Sequence, residues 1–115
     1  GGAQLPGTDL TYTIMFVNTG GTAATGVVLV DSLTPRVDFK LGSVTSSLGS
    51  TGLTVAVSYS NNNGATYAYV PVSGGGGAPA GYDRNVTNVR WTFTGSLSAT
   101  PPNNAGSVGL TGRIR

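Results

Sequence analysis

From Leu10 to Val17 the chain alternates. Leu10, Tyr12, Ile14 and Phe16 share one parity, and Thr11 and Thr13 take the other. A period of two belongs to a strand with one face buried. Pro6-Gly7 punctuates before this run, and Asn18-Thr19-Gly20-Gly21 ends it with residues that accept the positive φ of a tight reversal. Val27 to Val30 resumes extended structure, and Asp31-Ser32-Leu33-Thr34-Pro35 reads as a turn. Val37, Phe39 and Leu41 then alternate with Asp38 and Lys40, a short strand that shows its charges to water. Beyond the polar connection from Gly42 to Gly52, Leu53, Val55, Val57 and Tyr59 alternate with Thr54, Ala56 and Ser58.

Asn61-Asn62-Asn63-Gly64 is the strongest hairpin signal, and it predicts a return strand over Thr66 to Val70 that Pro71 ends or places at an edge. Ser73 to Tyr82, SGGGGAPAGY, reads as a flexible loop without a packing pattern. Val89, Trp91 and Phe93 share a parity, Ser98 to Gly106 is a second turn cluster, and Val108, Leu110 and Ile114 oppose Thr111, Arg113 and Arg115. Nowhere do apolar residues recur at i, i+3, i+4 for long enough to make a helix. The pattern predicts an all-β fold: an antiparallel sandwich of about seven short strands. Its core is Trp91, Phe93, Phe39, Val55, Val57 and Leu110, with Tyr12, Phe16 and Tyr59 around the indole. The chain, 115 residues long, reads as one domain from 1 to 115, with a lead-in over 1–4 and loops at 73–85 and 98–106.

Composition narrows the chemistry. There is no His, Cys or Glu. Ser-His-Asp and Cys-His pairs, thiolate chemistry and His-based metal sites are therefore excluded, and the chain reads as a non-enzyme without a cofactor. Charged residues make up 9% against a usual ~25%, so the surface is weakly repulsive and suits close packing with copies of itself. A net charge of +2, scattered along the chain, is no nucleic-acid footprint, and no apolar run is long enough to span a membrane.

The words Leu5-Pro6-Gly7-Thr8-Asp9-Leu10-Thr11-Tyr12-Thr13-Ile14, then Val17-Asn18-Thr19-Gly20, then Ala23 to Pro35 resemble one family. It is the prokaryotic surface "conserved repeat" domain, domain-of-unknown-function family eleven. Val37-Asp38-Phe39, Val89-Arg90-Trp91 and Ala105-Gly106-Ser107-Val108 fit its later strands. The resemblance implies an immunoglobulin-like sandwich, usually in tandem on secreted or wall-attached proteins, and a stalk, spacer or adhesive role without catalytic residues. Family members usually carry a further strand before the Pro-Gly word, whereas here only Gly1 to Gln4 precede Leu5; the Thr8-Asp9 order also departs from the commoner Asp-Thr. A sheet short of one strand exposes unpaired N–H and C=O groups that a neighbour can fill. Leu10, Tyr12, Ile14 and Phe16 are then the candidate acceptor segment. The expectation is a structural block at the cell surface or secreted, docking on copies of itself or on adjacent surface domains. The plainer readings are a missing strand supplied upstream in the same chain and a fold that does without it.

Other candidates pair a functional reading with a plainer one. Asp31, with Asp9, Asp38 or Asp83, is a Ca²⁺ ligand or an Asx-turn side chain bonding its own backbone. Gly74 to Gly77 lacks the Lys-Ser/Thr and helix of a phosphate cradle and reads as a loop. Asn85-Val86-Thr87 makes Asn85 a candidate N-glycan acceptor. Lys40, the single lysine, is solvated or joined in an intramolecular amide. Tyr67 and Tyr69 share a parity and form either core and interface or a platform for a glycan partner, the basis of an alternative reading as a carbohydrate-binding or adhesin module.

Overall fold

A computed structural model of the chain describes residues 7–33 and 36–115. The lead-in Gly1 to Gln4, the Leu5-Pro6 of the family-like word, and Thr34-Pro35 of the expected turn lie outside the described residues. The described elements are ten strands: β1 (Asp9–Val17), β2 (Ala24–Thr25), β3 (Val28–Ser32), β4 (Val37–Lys40), β5 (Thr45–Ser47), β6 (Thr54–Ser60), β7 (Tyr82–Asp83), β8 (Asn88–Thr94), β9 (Ser96–Leu97) and β10 (Ala105–Ile114). The chain is an all-β sandwich, and among the described residues no helix is long and apolar enough to cross a membrane.

Sheet I runs β1-β10-β4-β7, with β5 pairing β10 further along the same edge as β4. Sheet II runs β3-β8-β6, and the β2-β9 pair continues it. Paired residues sum to 120 across β3-β8 and to 121 across β2-β9. Two residues, Thr94 and Gly95, therefore oppose the single Gly26, which is a β-bulge. Gly26 (φ 66°) and Gly95 (φ 111°) supply the positive φ it needs. The bulge, which splits off β2 and β9, and the very short β5 and β7 explain why ten elements stand where about seven were expected.

The two sheets face each other in register. Phe16 of β1 meets Phe93 of β8 with ring centroids 5.2 Å apart, and Phe39 of β4 meets Tyr59 of β6 at 5.4 Å. β1 and β3 therefore lie along one side of the sandwich, and β6 and β7 along the other. Trp91 (0% exposed), Phe39, Phe93, Val89, Val108 and Leu110 are buried between them. Val55 and Val57, expected in the core, are half-buried and pack against it. The Trp91 Nε1–H has no acceptor among the described residues.

Two expectations fail here, for physical reasons. The Asn63-Gly64 turn forms, with φ of 61° and 87°, and the Ser60 hydroxyl oxygen accepts the N–H of Asn62 (3.2 Å) and of Gly64 (2.9 Å). The return segment, however, makes only a bridge from Tyr69 to Tyr59 rather than a strand. Nor is 73–85 a loop without packing. Asp83 is fully buried, and its Oδ2 accepts the Tyr69 hydroxyl (2.6 Å) and the Val72 N–H (2.7 Å), while Oδ1 accepts the Asn85 N–H (2.8 Å). Gly75 lies so close to this carboxylate that a Cβ would strike it. One buried acid thus gathers three separate pieces of chain and places β7 inside the expected loop. At 98–106 the turns hold, and β10 begins at Ala105.

Candidate functional site

On the β1/β3 side two strand edges lie close to half-buried inward side chains. β1 pairs only with β10 among the described residues. The Ile114 N–H reaches the Thr8 carbonyl (3.0 Å), and the Asn18 N–H reaches that of Asn104 (2.8 Å). In an antiparallel ladder the bonded pairs recur at every second residue. The even positions of β1 therefore bond β10, and Thr11, Thr13 and Met15 turn their N–H and C=O toward the free edge. β3 has the mirror arrangement. Phe93 N–H to Val27 O (3.0 Å) and Leu33 N–H to Thr87 O (2.8 Å) assign the odd positions to β8, which leaves the backbone of Val28 and Val30 facing out.

The side chains match. Leu10, Tyr12, Ile14 and Phe16 alternate inward and are each half-buried, and the last three pack against the core. Their counterparts on the central strands, Trp91, Val108 and Leu110, are 2% exposed or less. Met15 is 83% exposed, and Val17, Val28 and Val30 are exposed too, so the apolar surface of this side continues around both edges. Inward on β3, beside Leu29, stands Asp31. It lies in the strand rather than in a turn. Burial pushes its pKa above the ordinary carboxylate range.

The other candidates are dispersed. The four Asp residues have separate partners, so they do not assemble as a Ca²⁺ cluster. Asp9 accepts the Tyr82 hydroxyl (2.8 and 3.1 Å) and sits 3.4 Å from Lys40 Nζ. Both make its pKa lower than usual, the Tyr82 bond first. Lys40 is exposed in that pair. Asp38 was expected in water but is 1% exposed. Its parity is outward as read, yet Arg84 clamps it through Nε (3.0 Å) and Nη2 (3.1 Å), and Arg115 Nε adds a third contact at 3.2 Å.

Tyr67 and Tyr69 share a parity but have different surroundings. Arg90 lies 4.2 Å over the Tyr67 ring and donates from Nε to Ser58, so one face of that ring is covered. Tyr69 packs on the core and is held by Asp83; burial and that carboxylate raise its pKa. Asn85 is exposed, but the Thr87 hydroxyl of its sequon donates to the Ser60 carbonyl (3.1 Å) and accepts the Asn63 N–H (2.9 Å). The sequence reading missed the clustering of Arg84, Arg113 and Arg115; their signal was three of only six cations falling in two short stretches. Comparison of the chain with protein-family models, with curated proteins and with solved structures found no match.

Proposed function

We propose that this protein is a non-enzymatic building block of a prokaryotic extracellular assembly, an immunoglobulin-like domain whose copies dock through sheet edges by strand addition. The observation that carries the reading is the β1/β3 side. Among the described residues, two strand edges without a backbone partner run along the same flank, above inward residues that are only half-buried. A strand laid against β1 would find donors and acceptors at Thr11, Thr13 and Met15, and would cover Leu10, Tyr12, Ile14 and Phe16. A head-to-tail contact of this kind repeats without closing and gives a filament or array. The charge-poor surface and the resemblance of the opening words to surface repeat domains support the same reading.

Sedimentation velocity over a concentration series, with electron microscopy of the same samples, tests it. The expected result is growth into fibrous or sheet-like species as concentration rises. A clean monomer that persists at high concentration overturns it.

A further inference from the structure

At the β10 end of sheet I the outward side chains form a rung: Asp9 of β1, Arg113 of β10 and Asp38 of β4 are cross-strand neighbours. Beside it lies a cleft of about 350 Å³, lined among others by Asp38, Arg84, Arg113 and Arg115. Three of the chain's six cations therefore converge on one cleft whose lining, among the described residues, holds a single acidic side chain.

Each guanidinium is held by another group. Asp38 grips Arg84 at two nitrogens and Arg115 at one. Arg113 lies 5.5 Å from the centre of the Tyr82 ring, and the Tyr82 hydroxyl is in turn anchored on Asp9. A Cβ at Gly7 would come within 3.1 Å of Arg113 Nη2, so the missing side chain leaves room for the guanidinium. Asp38 is fully committed, and Asp9 is taken by Tyr82 and Lys40. The Arg113 guanidinium, and the remaining nitrogens of Arg115, have no acceptor among the described residues. Planar guanidinium forks arranged this way fit an oxyanion.

We propose that this cleft is a binding site for an oxyanion, a carboxylate, sulfate or phosphate group, carried by a small ligand or by one unit of an acidic saccharide. A second copy of the chain does not supply the group from a side chain. It has no Glu, its Asp38 and Asp83 are buried, its Asp9 is engaged, and its Asp31 faces between the sheets. The volume suits one charged unit. A nucleic acid would require a basic stripe, and this patch is one cleft.

Amide and arginine Nε–H spectra, recorded on the whole chain at constant ionic strength, test the site. The probes are inorganic phosphate, an oligogalacturonate and its neutral galactose counterpart. The expected result is saturable shifts at Gly7, Ile114, Arg113 and Arg115 with the charged probes only. Arg113→Ala should weaken binding about tenfold or more, the value of one charge-assisted contact. It leaves the Asp38 network in place, so its amide spectrum should stay native. Arg90→Ala, on sheet II under Tyr67, should leave affinity unchanged. No saturable shift with either charged probe, or an equal loss in Arg90→Ala, overturns the site. Tighter binding of the oligogalacturonate than of phosphate assigns the saccharide as the source. Phosphate binding alone keeps the site and overturns that source.

Discussion

On the β6/β7 side, Tyr69 bridges to β6, Asp83 of β7 holds the Tyr69 hydroxyl and the Val72 N–H, and the segment between them covers the flank of the core. On the β1/β3 side nothing comparable lies among the described residues: two strand edges face outward above inward side chains that are half-buried, as Val55 and Val57 of β6 also are. Both flanks belong to one core, so the contrast is one of finish rather than of packing. A strand edge needs partners for its backbone groups. The first flank obtains some of them within the chain: the Tyr69 N–H bonds the Tyr59 carbonyl of β6, the Gly74 N–H bonds the Tyr82 carbonyl of β7, and the Asp83 carboxylate holds the covering segment in place. The second leaves them available.

The largest expected effect comes from breaking the finished flank. Asp83→Ala strands the Tyr69 hydroxyl and the Val72 and Asn85 amides; it should cost about 3–5 kcal/mol, read as a lower urea midpoint, and should not change association except through unfolding. Next, Thr13→Pro removes a donor that faces the free edge and spares the ladder to β10. It should abolish growth into larger species in sedimentation while costing the monomer about 1 kcal/mol or less. If association survives it, β1 is not the docking edge.

A third change sharpens the comparison through pH. With its pKa raised by burial, Asp31 keeps its proton in the folded chain at pH values where the unfolded chain has lost it. The folded state is therefore favoured at acid pH, and this contribution is lost as pH rises through the raised value. Asp31→Asn should raise neutral-pH stability slightly, because solvent still screens a half-exposed carboxylate, and should flatten the thermal midpoint against pH just above the ordinary carboxylate range. The smallest effect belongs to Lys40→Ala. Its exposed pair with Asp9 should be worth under about 0.5 kcal/mol in a denaturation curve.

The inward face of β1 was legible in the sequence because a strand writes its burial locally: the parity of Leu10, Tyr12, Ile14 and Phe16 needs no knowledge of the partner. The same holds for Val89, Trp91 and Phe93, and for the Asn63-Gly64 turn. The closed flank was not legible. Asp83 acts on the backbone of Val72 and Asn85, and backbone groups leave no residue pattern. Asp38 is an intermediate case. Its outward parity was right, but its burial depends on Arg84, distant in sequence, and on Arg115 at the end of β10. Val55 and Val57 were placed on the inner face correctly, yet they lie on β6, where the sheet ends and shielding is thinner.

The bulge at Gly26 and Gly95 bears on which neighbour can be accepted. The bulge lies on the run from β8 to β9, where it bends that strand and increases the local twist, so the outer edge of sheet II offers the five residues of β3 before the break, against nine on β1. An arriving segment that runs the length of β1 cannot follow β3 equally far. The two edges are therefore unequal templates, and in the assembly proposed above that inequality would set a direction of growth and would deny an indiscriminate strand a second long edge on this flank.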